Sequence, residues 1–81
     1  MAERRKLIRI PCSLPVRIAA AGLKEGVFAT IRDISEAGAR IAVERPEELP
    51  NIIQLKSPLE REMHSAEIVW RKSKEIGVKF L

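Results

Sequence analysis

Two clusters in this sequence hold residue types that could do binding chemistry. The first is Arg4-Arg5-Lys6-Leu7-Ile8-Arg9. In an extended segment Arg5 and Arg9 fall on the same side, about 13 Å apart at roughly 3.3 Å per residue. A guanidinium is a planar fork of donors suited to phosphate oxygens and to guanine O6 and N7, whereas lysine brings charge without the fork. The second cluster is Asp33-Ile34-Ser35-Glu36-Ala37-Gly38. Asp33 can accept hydrogen bonds from the N1 and N2 donors of a guanine, and Ser35 can donate to a phosphate or cap a turn. Gly38 can adopt a positive φ and lets the backbone approach closely, and turn amides can form an anion nest. Taken singly, each cluster also has an ordinary reading: a basic tail, and a hairpin turn with Asx chemistry.

Enzyme chemistry has little to work with. The chain has one His, one Cys and no Gly-rich phosphate loop. His64 has no second His or Cys nearby to make a metal set, so it reads as a surface or half-buried residue. Cys12 reads as a small buried hydrophobe at the start of a strand. A nucleophile needs a base within reach, and nothing in the spacing joins Cys12 to His64. Trp70 reads as core, in phase with Ala66 and Ile68, with base stacking as its alternative role.

These clusters must be carried by a small framework. Eighty-one residues make one domain, and a chain this short buries only about 60% of its unfolded surface. With 46% hydrophobic and 32% charged residues the composition is globular. No apolar run approaches the roughly 20 residues of a membrane-spanning helix. The start, Met1-Ala2-Glu3-Arg4-Arg5-Lys6, is followed by no long apolar stretch of the signal-peptide kind. A lone cysteine argues against a disulfide framework, and the expected location is cytoplasmic. The formal net charge is +4, and it gathers at the two ends. Arg4, Arg5, Lys6 and Arg9 outweigh Glu3, and Arg71, Lys72, Lys74 and Lys79 outweigh Glu75, while Glu44 to Glu48 is acidic. Basic ends suit an anionic partner, although Arg71 to Lys74 taken alone reads as a solvated turn.

Between the ends, apolar residues alternate at period two. Leu14, Val16, Ile18 and Ala20 form one such set. Val27, Ala29 and Ile31 form a second, and Ala39, Ile41 and Val43 a third. Ile53 and Leu55, then Ala66, Ile68 and Trp70, then Ile76, Val78 and Phe80 complete the series. Alternation of this kind predicts strands with one buried face. The breaks are turn-like: Ala21 to Gly26 as a hairpin loop, Asp33 to Gly38 as a tight loop, one helical turn between Pro46 and Pro50, and a polar loop from Pro58 to Arg61. Leu59 to His64 is ambiguous. Six short strands predict a small antiparallel barrel or sandwich, and closure into a barrel removes exposed edges.

The two clusters, in this order and on this pattern, resemble the PilZ domain family, which binds the bacterial second messenger cyclic di-GMP. That family carries an RxxxR motif, often preceded by another Arg, and a later (D/N)xSxxG motif. Both are complete here. Arg9-Ile10-Pro11 resembles the lead into the family's first strand. Ile68-Val69-Trp70 resembles its penultimate strand, and Ile76 to Leu81 its closing strand. The resemblance implies an all-β, six-stranded antiparallel barrel over residues 11–81, behind a flexible arm over residues 1–10. It implies a non-enzymatic receptor or adaptor with cyclic di-GMP as ligand, no cofactor, and an effector protein as partner. Arg4, Arg5 and Arg9 would grip phosphates and guanines, and Asp33, Ser35 and Gly38 would line the barrel side. An Arg at position 4 is compatible with a stacked ligand pair. Many members continue into a C-terminal helix, whereas here Leu81 follows the last strand directly. The less covered barrel end could serve as a homodimer surface. Two other readings are a PilZ-type interaction scaffold that binds no nucleotide, and a basic nucleic-acid-binding barrel. Degenerate motifs would favour the scaffold, and they are intact. The nucleic-acid barrel would need exposed aromatics, and Phe28, Trp70 and Phe80 all read as core, so neither nucleic acid nor membrane insertion is expected.

Overall fold

The computed structural model describes residues 10–57 and 63–81. The loop expected from Pro58 to Arg61 falls outside them. Six strands form in chain order: β1 (Ile10–Ala19), β2 (Val27–Ile34), β3 (Gly38–Ala42), β4 (Ile52–Lys56), β5 (His64–Lys72) and β6 (Glu75–Phe80). A 3-10 turn, Pro46–Glu48, bridges β3 to β4, where one helical turn is expected. All pairings are antiparallel, and the neighbour order β1-β2-β3-β6-β5-β4 closes on itself. β1 and β4 seal the barrel over Arg17 to Ala19 and Gln54 to Lys56.

The alternation explains the core. Val16, Ile18, Ile31, Ala39, Ile41, Val43, Ile53, Leu55, Ala66, Ile68, Ile76 and Val78 point inward and are buried, and Leu49 caps them from the β3–β4 connection. Ile18, Ile41, Ile53 and Ile76 are fully enclosed. β-Branched side chains suit such a surface because their χ1 is already restricted in a strand. Pro11 and Pro15 are tolerated in β1 because the register of β4 begins only at Arg17, so this half of β1 pairs with β2 alone. A proline cannot donate to a ladder on both sides.

Two expectations about aromatic residues are corrected. Phe28 is 76% exposed. It occupies the outward phase between Val27 and Ala29, and phase outweighs its hydrophobicity; Arg17, opposite it on β1, lays its guanidinium 4.9 Å from the ring centroid. Trp70 is not among the core residues. A bulge between Ile68 and Trp70 inserts one extra residue into β5, so Trp70 pairs with Gly77 instead of continuing the inward phase. Phe80 does pack, half-buried, against the core.

Candidate functional site

The second cluster folds around the β2–β3 connection. Asp33 belongs to β2 and Gly38 to β3, so the connecting turn is shorter than the expected Asp33–Gly38 loop and consists of Ser35 to Ala37. A bulge between Ile31 and Asp33 shifts the register, so Asp33 pairs with Arg40. Ile31 faces the core. Two residues later Asp33 would face it too, an unpaired carboxylate among isoleucines, which would cost several kcal/mol. The bulge spends one residue, Arg32, and turns Asp33 to the outer face beside Arg40.

There the Arg40 guanidinium joins two carboxylates. Its Nε donates to Asp33 Oδ2 at 2.8 Å and its Nη1 donates to Glu75 Oε2 at 2.9 Å. The hydrogen bond it donates to Asp33, then the charge of Glu75, hold Arg40 even above its ordinary high range. Among the described residues Asp33 is the one buried polar or charged residue.

Ser35 closes the turn. Its Oγ accepts from the amides of Ala37 (3.3 Å) and Gly38 (3.4 Å), and its own amide donates to the Gly38 carbonyl at 2.8 Å. The Phe80 amide donates to the Ala37 carbonyl at 2.8 Å, which fastens the turn to β6. Of the two reasons expected for Gly38, close backbone approach holds and a positive φ does not. A side chain there would fall on the Val78 carbonyl oxygen of the paired strand.

The register extends this face into a row across four strands: Asp33 on β2, Arg40 on β3, Gly77 on β6 and Trp70 on β5. The Trp70 indole lies across Gly77, where a Cβ would strike it, and Lys72 Nζ stands 5.6 Å from the ring centroid. The outer face beside the turn therefore offers a carboxylate, a guanidinium, an ammonium and an aromatic ring. The cavity at the barrel mouth is of another kind. It encloses about 430 Å³ and is lined mainly by Leu14, Ile31, Ile34, Leu55 and Phe80, with Ser35 and His64. An apolar mouth suits no dianion.

The structure thus brings Asp33, Ser35 and Gly38 together. Arg4, Arg5 and Arg9 lie outside the described residues. Arg40 and Glu75 were not singled out from the sequence; only the register of β2, β3 and β6 puts them beside Asp33. Arg71, expected in a solvated turn, instead clamps the β3–β4 connection: Nη1 donates to the carbonyls of Pro46 (2.6 Å) and Leu49 (2.7 Å), and Nη2 to Asn51 Oδ1 (2.9 Å). Cys12 is half-buried with its thiol on the Ile31 carbonyl at 3.6 Å, a packing role. Among the described residues no group of His, Cys, Asp and Glu could hold a metal ion, and no helix is long and apolar enough to cross a membrane.

A family model described as the PilZ domain matches residues 3–81. That range includes both arginine-rich and DxSxxG clusters. Among solved structures, the chain is similar to the PilZ domain of CeSA from a cellulose-synthesizing bacterium, with a TM-score of 0.75 and 23% identity over 91% of this chain and 80% of that one. No curated protein matches the chain.

Proposed function

The chain belongs to the PilZ domain family, in general a family of cyclic di-GMP receptors and adaptors without catalytic activity, and from that premise we propose that it binds cyclic di-GMP and passes the signal to an effector protein. The observation that carries the proposal is the completeness of both motifs, with the second gathered at the β2–β3 connection. Arg5 and Arg9 bind phosphates and the Hoogsteen edges of guanines, and Arg4 adds a stacking or phosphate contact. Asp33 accepts from a guanine N1 and N2, while Ser35 and Gly38 set the turn against which the nucleotide rests. Trp70, turned outward, gives a ring for stacking.

Half of this site lies on residues 1–10 and half on a turn fastened to β6. Ligand would therefore draw the arm onto the barrel and create a new surface for the effector. Unchanged amide exchange in residues 3–10 on adding ligand would count against that step.

Calorimetric titration with cyclic di-GMP, with GTP as control, tests binding itself. Micromolar or tighter binding at one or two ligands per chain is expected. Absence of binding at high micromolar ligand would overturn the receptor reading and leave an interaction scaffold. Arg5→Ala and Arg9→Ala should each cost roughly 2–5 kcal/mol of binding, the scale of a lost charge-assisted pair. Their residual binding should respond less to salt, and wild-type affinity in either variant would sink the site assignment.

A further inference from the structure

The outer face of β4, β1 and β2 gathers cations without carboxylates. Lys56 on β4, Arg17 on β1 and Phe28 on β2 form one exposed row across it. β1 and β4 contain no Asp or Glu, and the one acidic residue of β2, Asp33, is held by Arg40. Arg17 and Lys56 are direct partners across the β1–β4 seam, and like charges set opposite one another in a sheet repel. Among the described residues, neither cation has a carboxylate partner. Folding alone would favour an acid at one of the two positions.

Phe28 flanks Arg17 on its other side and, at 76%, is the most exposed large apolar side chain among the described residues. Arg17 is held from two directions. Its guanidinium lies over the Phe28 ring, and its stem crosses Gly26, where a Cβ would come within 2.8 Å of it. Shallow hollows of about 240 and 330 Å³ lie on either side of the ring. The first is lined in part by Pro15, Arg17 and Lys56, the second by Thr30, Glu44 and Lys74. Arginine beside an aromatic ring is the combination that most often dominates binding energy at protein interfaces.

Unpaired cations call for an anionic partner, and the same face selects its kind. A single-stranded nucleic acid needs a basic track with successive rings. The other outward ring, Trp70, lies on β5, three strands from β2 in either direction round the closed sheet, and Glu44 interrupts the charge beside Phe28. A bilayer surface calls for several apolar anchors, and this row supplies one. A closed sheet has no edge for an added strand, so side chains must carry the recognition.

We propose that the Phe28–Arg17–Lys56 row is a docking surface for an acidic segment of a partner protein. Carboxylates of that segment meet Arg17 and Lys56, and an apolar side chain packs beside Phe28. No residue of the candidate nucleotide site belongs to the row, and the inference does not depend on the nucleotide reading.

The test places the photo-crosslinker benzoylphenylalanine, which keeps an aromatic ring, at position 28 of the full chain in the cells it comes from. The expected product is a protein adduct whose mapped segment is acidic, and the adduct should be lost in Arg17→Glu. That segment, made as a peptide, should bind the wild-type chain in calorimetry with an affinity that falls as salt rises. Phe28→Ser and Lys56→Glu should each weaken the peptide by about tenfold or more. Phe28→Ser removes an outward ring and leaves the barrel folded, so a loss there reads as a lost contact. Lys56→Glu should also raise the melting temperature of the unbound chain, because it turns a like-charge pair into an opposite one. A surface kept for a partner predicts this gain in stability together with the loss of binding. No adduct at position 28, an adduct on nucleic acid, on lipid or on a second copy of the chain, or a mapped segment without carboxylates would overturn the proposal. So would a melting temperature of Lys56→Glu at or below wild type, or wild-type peptide affinity in either variant.

Discussion

Gly38 and Gly77 both face something that leaves no room for a side chain, and the nature of the obstacle separates their roles. At Gly38 it is the Val78 carbonyl of the paired strand, which cannot move without opening the ladder. Gly38→Ala should therefore cost about 1–3 kcal/mol, the range for overpacking, measured by urea unfolding. At Gly77 the obstacle is the Trp70 indole, which can swing away. Gly77→Ala should cost less and should shift the emission of Trp70, the one tryptophan of the chain. Unchanged emission would mean that the ring does not lie over Gly77. At this scale the sequence is informative about kind and less so about cause. Asp33, Ser35 and Gly38 are legible as a motif, because short polar residues and glycine at fixed spacing have few uses. Arg40 is not, because an arginine seven residues after an aspartate meets it only once the turn length and a bulge are known.

Elements were legible wherever period two runs unbroken. The inward phases of β1, β3, β4 and β6 follow from Val16 and Ile18, Ala39 and Ile41, Ile53 and Leu55, Ile76 and Val78. Bulges break that logic, since one inserted residue flips every later side chain; Asp33 and Trp70 both lie just past one. The Arg71 clamp was hidden for a related reason: its acceptors are mostly backbone carbonyls 22 and 25 residues away. Replacing Arg71 with Lys should destabilise by about 1–2 kcal/mol, because one ammonium cannot reproduce the fork and leaves carbonyls short of donors. A urea midpoint equal to wild type would show that water replaces the clamp without cost. Lys74, in the β5–β6 turn, has a φ of 59°, a conformation that costs a non-glycine residue roughly 1 kcal/mol or more. Its ion pair with Glu44 spans 3.6 Å between side chains at least 70% exposed and is worth little. Lys74→Gly should accordingly raise the melting temperature, and a fall would show that the flexibility gained in the unfolded chain outweighs the relief.

The whole molecule is a closed barrel with one small core. In a domain of this size a single core residue is a large fraction of the total stability. Ile41, fully buried on β3, should cost about 2–5 kcal/mol when replaced by Ala and about 1 kcal/mol when replaced by Val. Both variants should unfold in one cooperative transition; a second transition in calorimetry would show that the barrel is not one unit. Closure has another consequence. Ile10 pairs with Ile34, Ile34 with Ala39, and Ala39 with Val78. The start of β1 and the end of β6 therefore stand three rungs apart, roughly 15 Å at ordinary strand spacing. The chain enters and leaves the barrel at one pole, the pole that carries the Ser35 to Ala37 turn. Such a barrel can be spliced into a surface loop of another protein with short joints. The candidate site would then sit at the seam, and whatever draws the entering strand toward the turn would also pull the two splice points of the host together.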